Sequence, residues 1–278
     1  MAINLATKYS PLVDERFKHG SFTDIAAGTE YDWDGVNAIK IWRIDTVAIN
    51  DYNRTASGNR FGTPTELGDS EQTMALTQDK SFSFVIDKGN ANEQFNIKKA
   101  NVRTKAVVDE QFTPLVDQYR LAAWAKGAGQ GDWGQTAPTK SNIVEKIMLG
   151  NAKMSNELVP LANRTIFIGN TLYVSAKLSD QIQHSDSMAT KAYGQGVVGN
   201  LDGVPVVAIP DVYLPEGVQF MIKYKQATAD PITLKSMKVH KDPPGIDGDL
   251  CEGRWRYDAF VREAKKNGIY VYSTAAKE

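Results

Sequence analysis

Residues 96–127, NIKKANVRTKAVVDEQFTPLVDQYRLAAWAKG, carry the strongest helical signal in the chain. Val102, Ala106, Phe112, Leu115, Val116, Tyr119, Ala122 and Ala123 largely keep the i, i+3, i+4, i+7 spacing that gathers apolar groups on one helix face. Gly127 marks the expected end. Pro114 lies inside, where it has no N–H to give to the helix. It predicts either a kink or a fresh helical start with Thr113 as N-cap. The polar side is net basic, with Lys98, Lys99, Arg103, Lys105, Arg120 and Lys126 against Asp109, Glu110 and Asp117. Such a surface is either a solvated face or one that reads the charge of a partner.

Upstream, AIKIWRIDTVAIN (38–50) alternates Ile39 and Ile41, then Ile44 and Val47, with polar residues and is rich in β-formers. TMALTQDKSFSFVID (73–87) returns as a second alternating run through Met74, Leu76, Phe82, Phe84 and Ile86. Between them DYNRTASGNRFGTPTELGDSEQ (51–72) has Gly58, Gly62, Pro64 and Gly68 and almost no aliphatic residues. The three segments predict an extended hairpin with a long polar tip. A loop of that length inside a compact domain is uncommon and usually functional. It cannot bury itself, so it is expected to rest on another subunit. Residues 1–35 show no regular period and are locally acidic, as an arm lying on something else would be.

Downstream, the Gly-rich stretch GAGQGDWG (127–134) leads to a helix over SNIVEKIMLGNAKM, and RTIFIGNTLYVSAKL (164–178) reads as buried strand, turn and helix start. VQFMIKYKQATADPITLKSMKVH (218–240) predicts one or two strands. CEGRWRYDAFVREAKKNGIYVYST (251–274) predicts two antiparallel strands joined at Asn267-Gly268, a strong hairpin turn.

GQGVVG (194–199) has the G-x-G-x-x-G spacing of a dinucleotide loop, but 22 glycines in 278 residues make chance matches easy. A nucleotide fingerprint follows a buried strand and opens a helix. Here a polar stretch precedes it, and Asp202-Gly203 and Pro205 oppose a helix while residues 204–209 favour a strand. Gly199, Asp202 and Gly203 are therefore expected to form a turn feeding a hairpin strand.

Lys plus Arg total 32 and Asp plus Glu 33, so net charge points to no nucleic-acid reader. The lone Cys251 cannot form an intrachain disulfide. No secretory signal opens the chain and no apolar run approaches the ~20 residues needed to span a bilayer, so a soluble cytoplasmic product is expected. His19, His184 and His240 have no metal-ligand spacing, and neither C-x-x-C, G-x-S-x-G nor a Walker loop occurs. HSDS (184–187) and DPPGIDGD (242–249) collect polar and acidic groups but read as a solvated loop and a turn. No enzyme activity, cofactor or metal is expected.

The order of these parts resembles the major capsid proteins of tailed double-stranded DNA bacteriophages, the Hong Kong 97-type fold. KYSPLVDERFKHGSFT looks like the family's N-terminal arm, and residues 54–90 like its extended loop. VVDEQFTPLVDQYRLAAWA resembles its spine helix, GVVGNLDGVPVVAIPD its axial-domain turn and strand, and GRWRYDAFVREAKKNGIYVY its closing peripheral strands. The similarity spans essentially the whole chain and lies in the ordered set rather than in one motif.

The resemblance implies an α+β fold with an arm over 1–35, an extended loop over 36–92 and spine helix with part of the peripheral domain over 93–155. An axial domain over 156–232 and peripheral C-terminal strands over 233–278 complete it. It implies pentamers and hexamers closing an icosahedral shell around DNA, with Arg54, Arg60, Phe61 and Glu66 at the loop tip touching a neighbouring subunit. Further implied partners are a separate scaffolding protein, a portal protein, a decoration protein and weakly held double-stranded DNA, with no membrane. The implied location is the virion capsid, assembled in the host cytoplasm. Lys80 lies on the hairpin, but no motif gives it the covalent cross-linking role known in some relatives. An encapsulin-like shell holding an enzyme cargo is the alternative within this fold. Outside it stand a monomeric binding module and an enzyme using scattered residues such as His184, Asp186 and Asp211. Oligomeric state separates them.

Overall fold

The computed structural model describes residues 20–31, 33, 38–88, 100–178 and 197–277. Most of the expected arm, the HSDS stretch and Gly194 to Gly196 lie outside the described residues. In chain order the strands and helices are β1 (Ala38–Ile44), β2 (Asp69–Ala75), β3 (Gln78–Asp87), α1 (Ala100–Val107), α2 (Thr113–Lys126), β4 (Gln130–Asp132), α3 (Ile143–Asn156), β5 (Arg164–Gly169) and α4 (Asn170–Lys177). There follow β6 (Val197–Leu201), β7 (Val204–Ile209), β8 (Val218–Tyr224), β9 (Thr228–Ala229), β10 (Ile232–Lys241), β11 (Gly248–Tyr257), β12 (Phe260–Val261) and β13 (Ile269–Ser273).

α1 and α2 are one helical run joined by a π-helical turn, Val108–Phe112. Thr113 is not an N-cap: it is itself helical at φ −57°, ψ −48°, and its N–H donates to the carbonyl of Val108. The five-residue reach accommodates Pro114, whose ring would crowd the carbonyl four residues back in a regular helix. The helix therefore continues where a fresh start was the other expectation.

The main layer is a six-stranded mixed sheet in the order β4-β13-β8-β5-β7-β6. All six residues of β5 and all five of β13 are buried, because helices cover both faces. Alternate side chains divide between two cores. Ile166, Ile168, Phe220, Ile222, Tyr270 and Tyr272 meet α3 and α4 through Ile143, Ile147, Met154 and Leu172. Phe167, Met221, Ile269 and Val271 meet Leu121 and Trp124 of α2 on the other side. A second layer is the three-stranded antiparallel sheet β10-β11-β3. Phe112 and Val116 pack on its Trp255 and Tyr257, with the Phe112 and Trp255 rings stacked at 4.5 Å.

Two strand pairings differ from those expected. β1 pairs with β2 alone, and β3 leaves the hairpin to pair with β11. The exchange happens at Leu76-Thr77, where the Thr77 N–H and hydroxyl both donate to Asp258 Oδ2, at 2.7 and 2.9 Å. Likewise β11 and β13 form no hairpin: residues Glu263–Gly268 make a 3-10 turn, and β13 enters the six-stranded sheet between β8 and β4. The all-apolar-faced strand IYVYS has two faces to bury, which a hairpin edge could not do. β13 belongs with β8, and α3 packs on the same layer.

The Asp-Gly turn forms as its residue types require. Asp202 (φ +54°) and Gly203 (φ +75°) are both left-handed and bring Leu201 opposite Val204, closing β6 on β7. Gly199 lies within β6. Space around a Gly203 side chain is open, so Gly203→Val tests backbone strain alone. It is expected to lose about 1–2 kcal/mol, read as a lower urea midpoint with unchanged slope. Gly199→Ala, with no positive φ to relieve, should fall well short of that loss.

Candidate functional site

Of the groups weighed for chemistry, His19, His184 and Asp186 lie outside the described residues, and Asp211, His240 and Asp242 and Asp247 of DPPGIDGD have partners. Asp211 accepts from the Thr171 N–H at 3.3 Å and from its hydroxyl, at the start of α4. His240 faces Glu252 at 3.4 Å on an exposed sheet surface. In DPPGIDGD, Asp242 and Asp247 both take the ammonium of Lys88, the latter at 3.1 Å. Among the described residues no group of three or more His, Cys, Asp or Glu is placed to hold a metal ion. No described helix is long and apolar enough to cross a membrane.

The feature with unspent binding capacity is the β1–β2 ribbon with its loop over 45–68. One ribbon face is seated: Ile39 and Ile41 pack with Met74, Leu76, Trp33 and Phe260. The other face and the loop carry seven large apolar side chains in solvent: Trp42, Ile44, Val47, Ile49, Tyr52, Phe61 and Leu67. Ile49 is fully exposed and Phe61 is 83% exposed. Single exposed apolar residues are ordinary, but seven on one ribbon and its loop point to a contact surface.

The loop has its own order. Asp45 N–H donates to Gly68 O at 2.9 Å, and Asn53 N–H to Arg60 O at 3.0 Å. Asn53 Oδ1 accepts from the Thr55 N–H and hydroxyl. The Tyr52 and Phe61 rings meet edge to face at 4.9 Å. Gly62 is left-handed at φ +89°, a conformation that strains any residue with a side chain. Of the four tip residues named from sequence, Phe61 joins the aromatic pair, Arg60 Nε donates to Ala56 O at 2.9 Å, and Arg54 and Glu66 are exposed.

A second, buried constellation was not foreseen. Asp230 Oδ1 accepts from Trp124 Nε1 at 2.7 Å, and its Oδ2 from the Gly28 N–H at 2.9 Å and the Thr228 hydroxyl at 2.5 Å. Lys223 Nζ lies 3.8 Å from the same carboxylate, donates to Ala26 O, and sits 4.1 Å over the Trp124 ring. Burial pushes the Lys223 ammonium down to about 8, against the partial support of Asp230. The available signal was strand parity: in VQFMIKY, Lys223 falls on the face of Met221 within a run apolar on both sides.

No family model and no curated protein matches the sequence. Solved structures do. One from Mycobacterium phage Che8 aligns with TM-score 0.76 at 16% identity, covering 99% of this chain and 99% of that one. The mature capsid of bacteriophage PhiM1 aligns at 0.74 and 14% identity, covering 98% of this chain and 92% of the other. The capsid of Ralstonia phage GP4 aligns at 0.69 and 11% identity, covering 99% and 96%. At such identities the likeness is one of fold: an α+β capsid fold runs through essentially the whole chain.

Proposed function

We propose that this chain is the major capsid protein of a tailed double-stranded DNA phage, a structural protein whose copies join as pentamers and hexamers into an icosahedral head. The observation that carries the proposal is the ribbon and loop over 38–75, on which seven large apolar side chains are exposed among the described residues. On this reading the ribbon and loop are the extended loop of the capsid fold, lying over a neighbouring subunit through Arg54, Arg60, Phe61 and Glu66. The run from Ala100 to Lys126 is the spine helix. The six-stranded layer, built around residues 156–232, is the axial domain, with the Asp202-Gly203 turn part of it. The three-stranded sheet under the helix is the peripheral domain, and residues before 36 form the arm. Repetition of modest contacts around a closed shell stabilises each copy by mass action. A scaffolding protein, a portal and a decoration protein are the proposed partners, and a near-neutral chain suits weak, sequence-independent contact with packaged DNA.

Expression of the full chain with and without a scaffold candidate, followed by light scattering and negative-stain microscopy, tests this. Capsomers or closed shells are expected, with DNA inside the shells of virions. A monomer that persists with scaffold and at high concentration would refute the assembly. Shells from the native source that hold an enzyme instead of DNA would refute the capsid role in favour of a nanocompartment.

A further inference from the structure

Residues 20–31 cross α2 and the six-stranded sheet as a strap held chiefly by polar contacts to buried charges. At one end Asp117, itself 1% exposed, accepts from the Ser21 hydroxyl at 2.7 Å, the Phe22 N–H at 2.9 Å and the Thr23 hydroxyl at 2.6 Å. Arg120 gives Nη1 to Thr23 Oγ1 at 3.0 Å and Asp24 Oδ1 at 2.6 Å, while its Nε is buried without a partner. At the other end Asp230 takes the Gly28 N–H and Lys223 reaches Ala26 O. The strap's fully buried apolar side chains are the small ones of Ala26 and Ala27, with Phe22 and Ile25 only half-buried.

We propose that this strap is a reversible latch, able to lift from α2 and the sheet as one unit while the rest of the fold stays closed. Two features support release without collapse. Asp117 and Arg120 are three residues apart on one helix, so they can pair with each other once the strap leaves. Lys223 and Asp230 already face each other at 3.8 Å and would regain water. In the open state Asp117 and Arg120 thus gain a new partner, and Lys223 and Asp230 keep the one they have. An all-apolar strap would hold as well or better and would have no such alternative. The latch is the first described segment of the chain. Its release does not depend on whether the chain builds a shell.

Proton linkage gives the latch a direction. Lys223 faces Asp230, Arg120 from α2 and Lys225 from the turn after β8, and burial is the dominant influence on it. Closed, it titrates near 8; lifted into water, it returns toward its ordinary 10.5. Between those values closing releases a proton, so rising pH favours the closed latch, and below about 8 the linkage fades.

Hydrogen exchange of the full-length chain at pH 7.5 tests the latch, with chymotryptic cutting at Phe22 followed from pH 7.5 to 9.5 against a free peptide standard. Amides of Ala26 and Gly28 are expected to exchange at least tenfold faster than those of β8 and β13. Thr23→Val should speed them about tenfold more and leave β8 unchanged, and Asp117→Asn should do the same. Cutting at Phe22 should slow by about tenfold across the pH range, and Lys223→Met should abolish that slope. Should Asp117→Asn fail to fold, Thr23→Val with Ser21→Ala carries the test from the strap side. Strap and sheet amides exchanging together, or strap variants that shift both equally, would make the strap ordinary core and overturn the proposal. A pH slope that survives Lys223→Met would overturn the linkage.

Discussion

Asp230→Ala is expected to destabilise the fold by about 3–5 kcal/mol, because it leaves the fully buried Lys223 without its counter-charge. It also frees Trp124 Nε1 and the Thr228 hydroxyl in the core, each an unmade bond. Urea unfolding of the dissociated subunit followed by Trp fluorescence would measure it. Lys223→Met alone should lose far less, since a buried lysine is costly to desolvate and methionine matches its stem. The double variant should therefore be more stable than Asp230→Ala by itself, a coupling of at least about 1 kcal/mol. If the two losses simply add, the pair is not the reason Asp230 matters.

Trp42→Asp with Ile44→Asp is expected to abolish assembly while leaving the subunit folded. Both side chains lie on the outward face of β1, opposite Glu71 and Asp69 of β2, and are 63% and 70% exposed. In the isolated chain the new aspartates face Glu71 and Asp69 across the ribbon, at a cost of about 0.2–1 kcal/mol per pair. In an assembled contact the change is large. Burying one such side chain contributes about 1.5–3 kcal/mol, and a buried aspartate without a partner adds its desolvation cost. Two side chains lost at every copy would weaken each contact by roughly a hundredfold or more. Light scattering should find unassembled subunits that remain folded, with a melting temperature lowered by no more than several degrees. Normal shells from this variant would show that the outer ribbon face is not a contact, and the functional proposal would lose its main support.

Much of this architecture is visible in local pattern. The helical spacing across Val102 to Ala123, the alternation of residues 38–50, and the Asp202-Gly203 turn all depend on neighbours in sequence, so one chain read alone reveals them. The exposed ribbon was also legible, because a long polar loop between two alternating runs has no means of covering itself. Pro114 announced a disturbance, but a widened π turn and a new start are equally consistent with its missing N–H.

Strand partners were decided elsewhere. Period-two alternation says which face a residue occupies and nothing about which strand lies beside it. The run from Thr73 to Asp87 keeps its alternation straight through Leu76-Thr77, although it changes sheets there. Asn267-Gly268 has good local chemistry for a hairpin, yet IYVYS needs cover on both faces and finds it between β4 and β8. The Asp117, Arg120, Lys223 and Asp230 anchors join residues about a hundred or two hundred positions from the strap they hold, as the Gly28 to Asp230 bond illustrates. Sequence by itself determined the elements and the surface left over for a partner, because both follow from local periodicity and from what cannot be buried. Pairing, and the burial of four charges under the strap, was left to tertiary structure, because desolvation is a property of the packed whole.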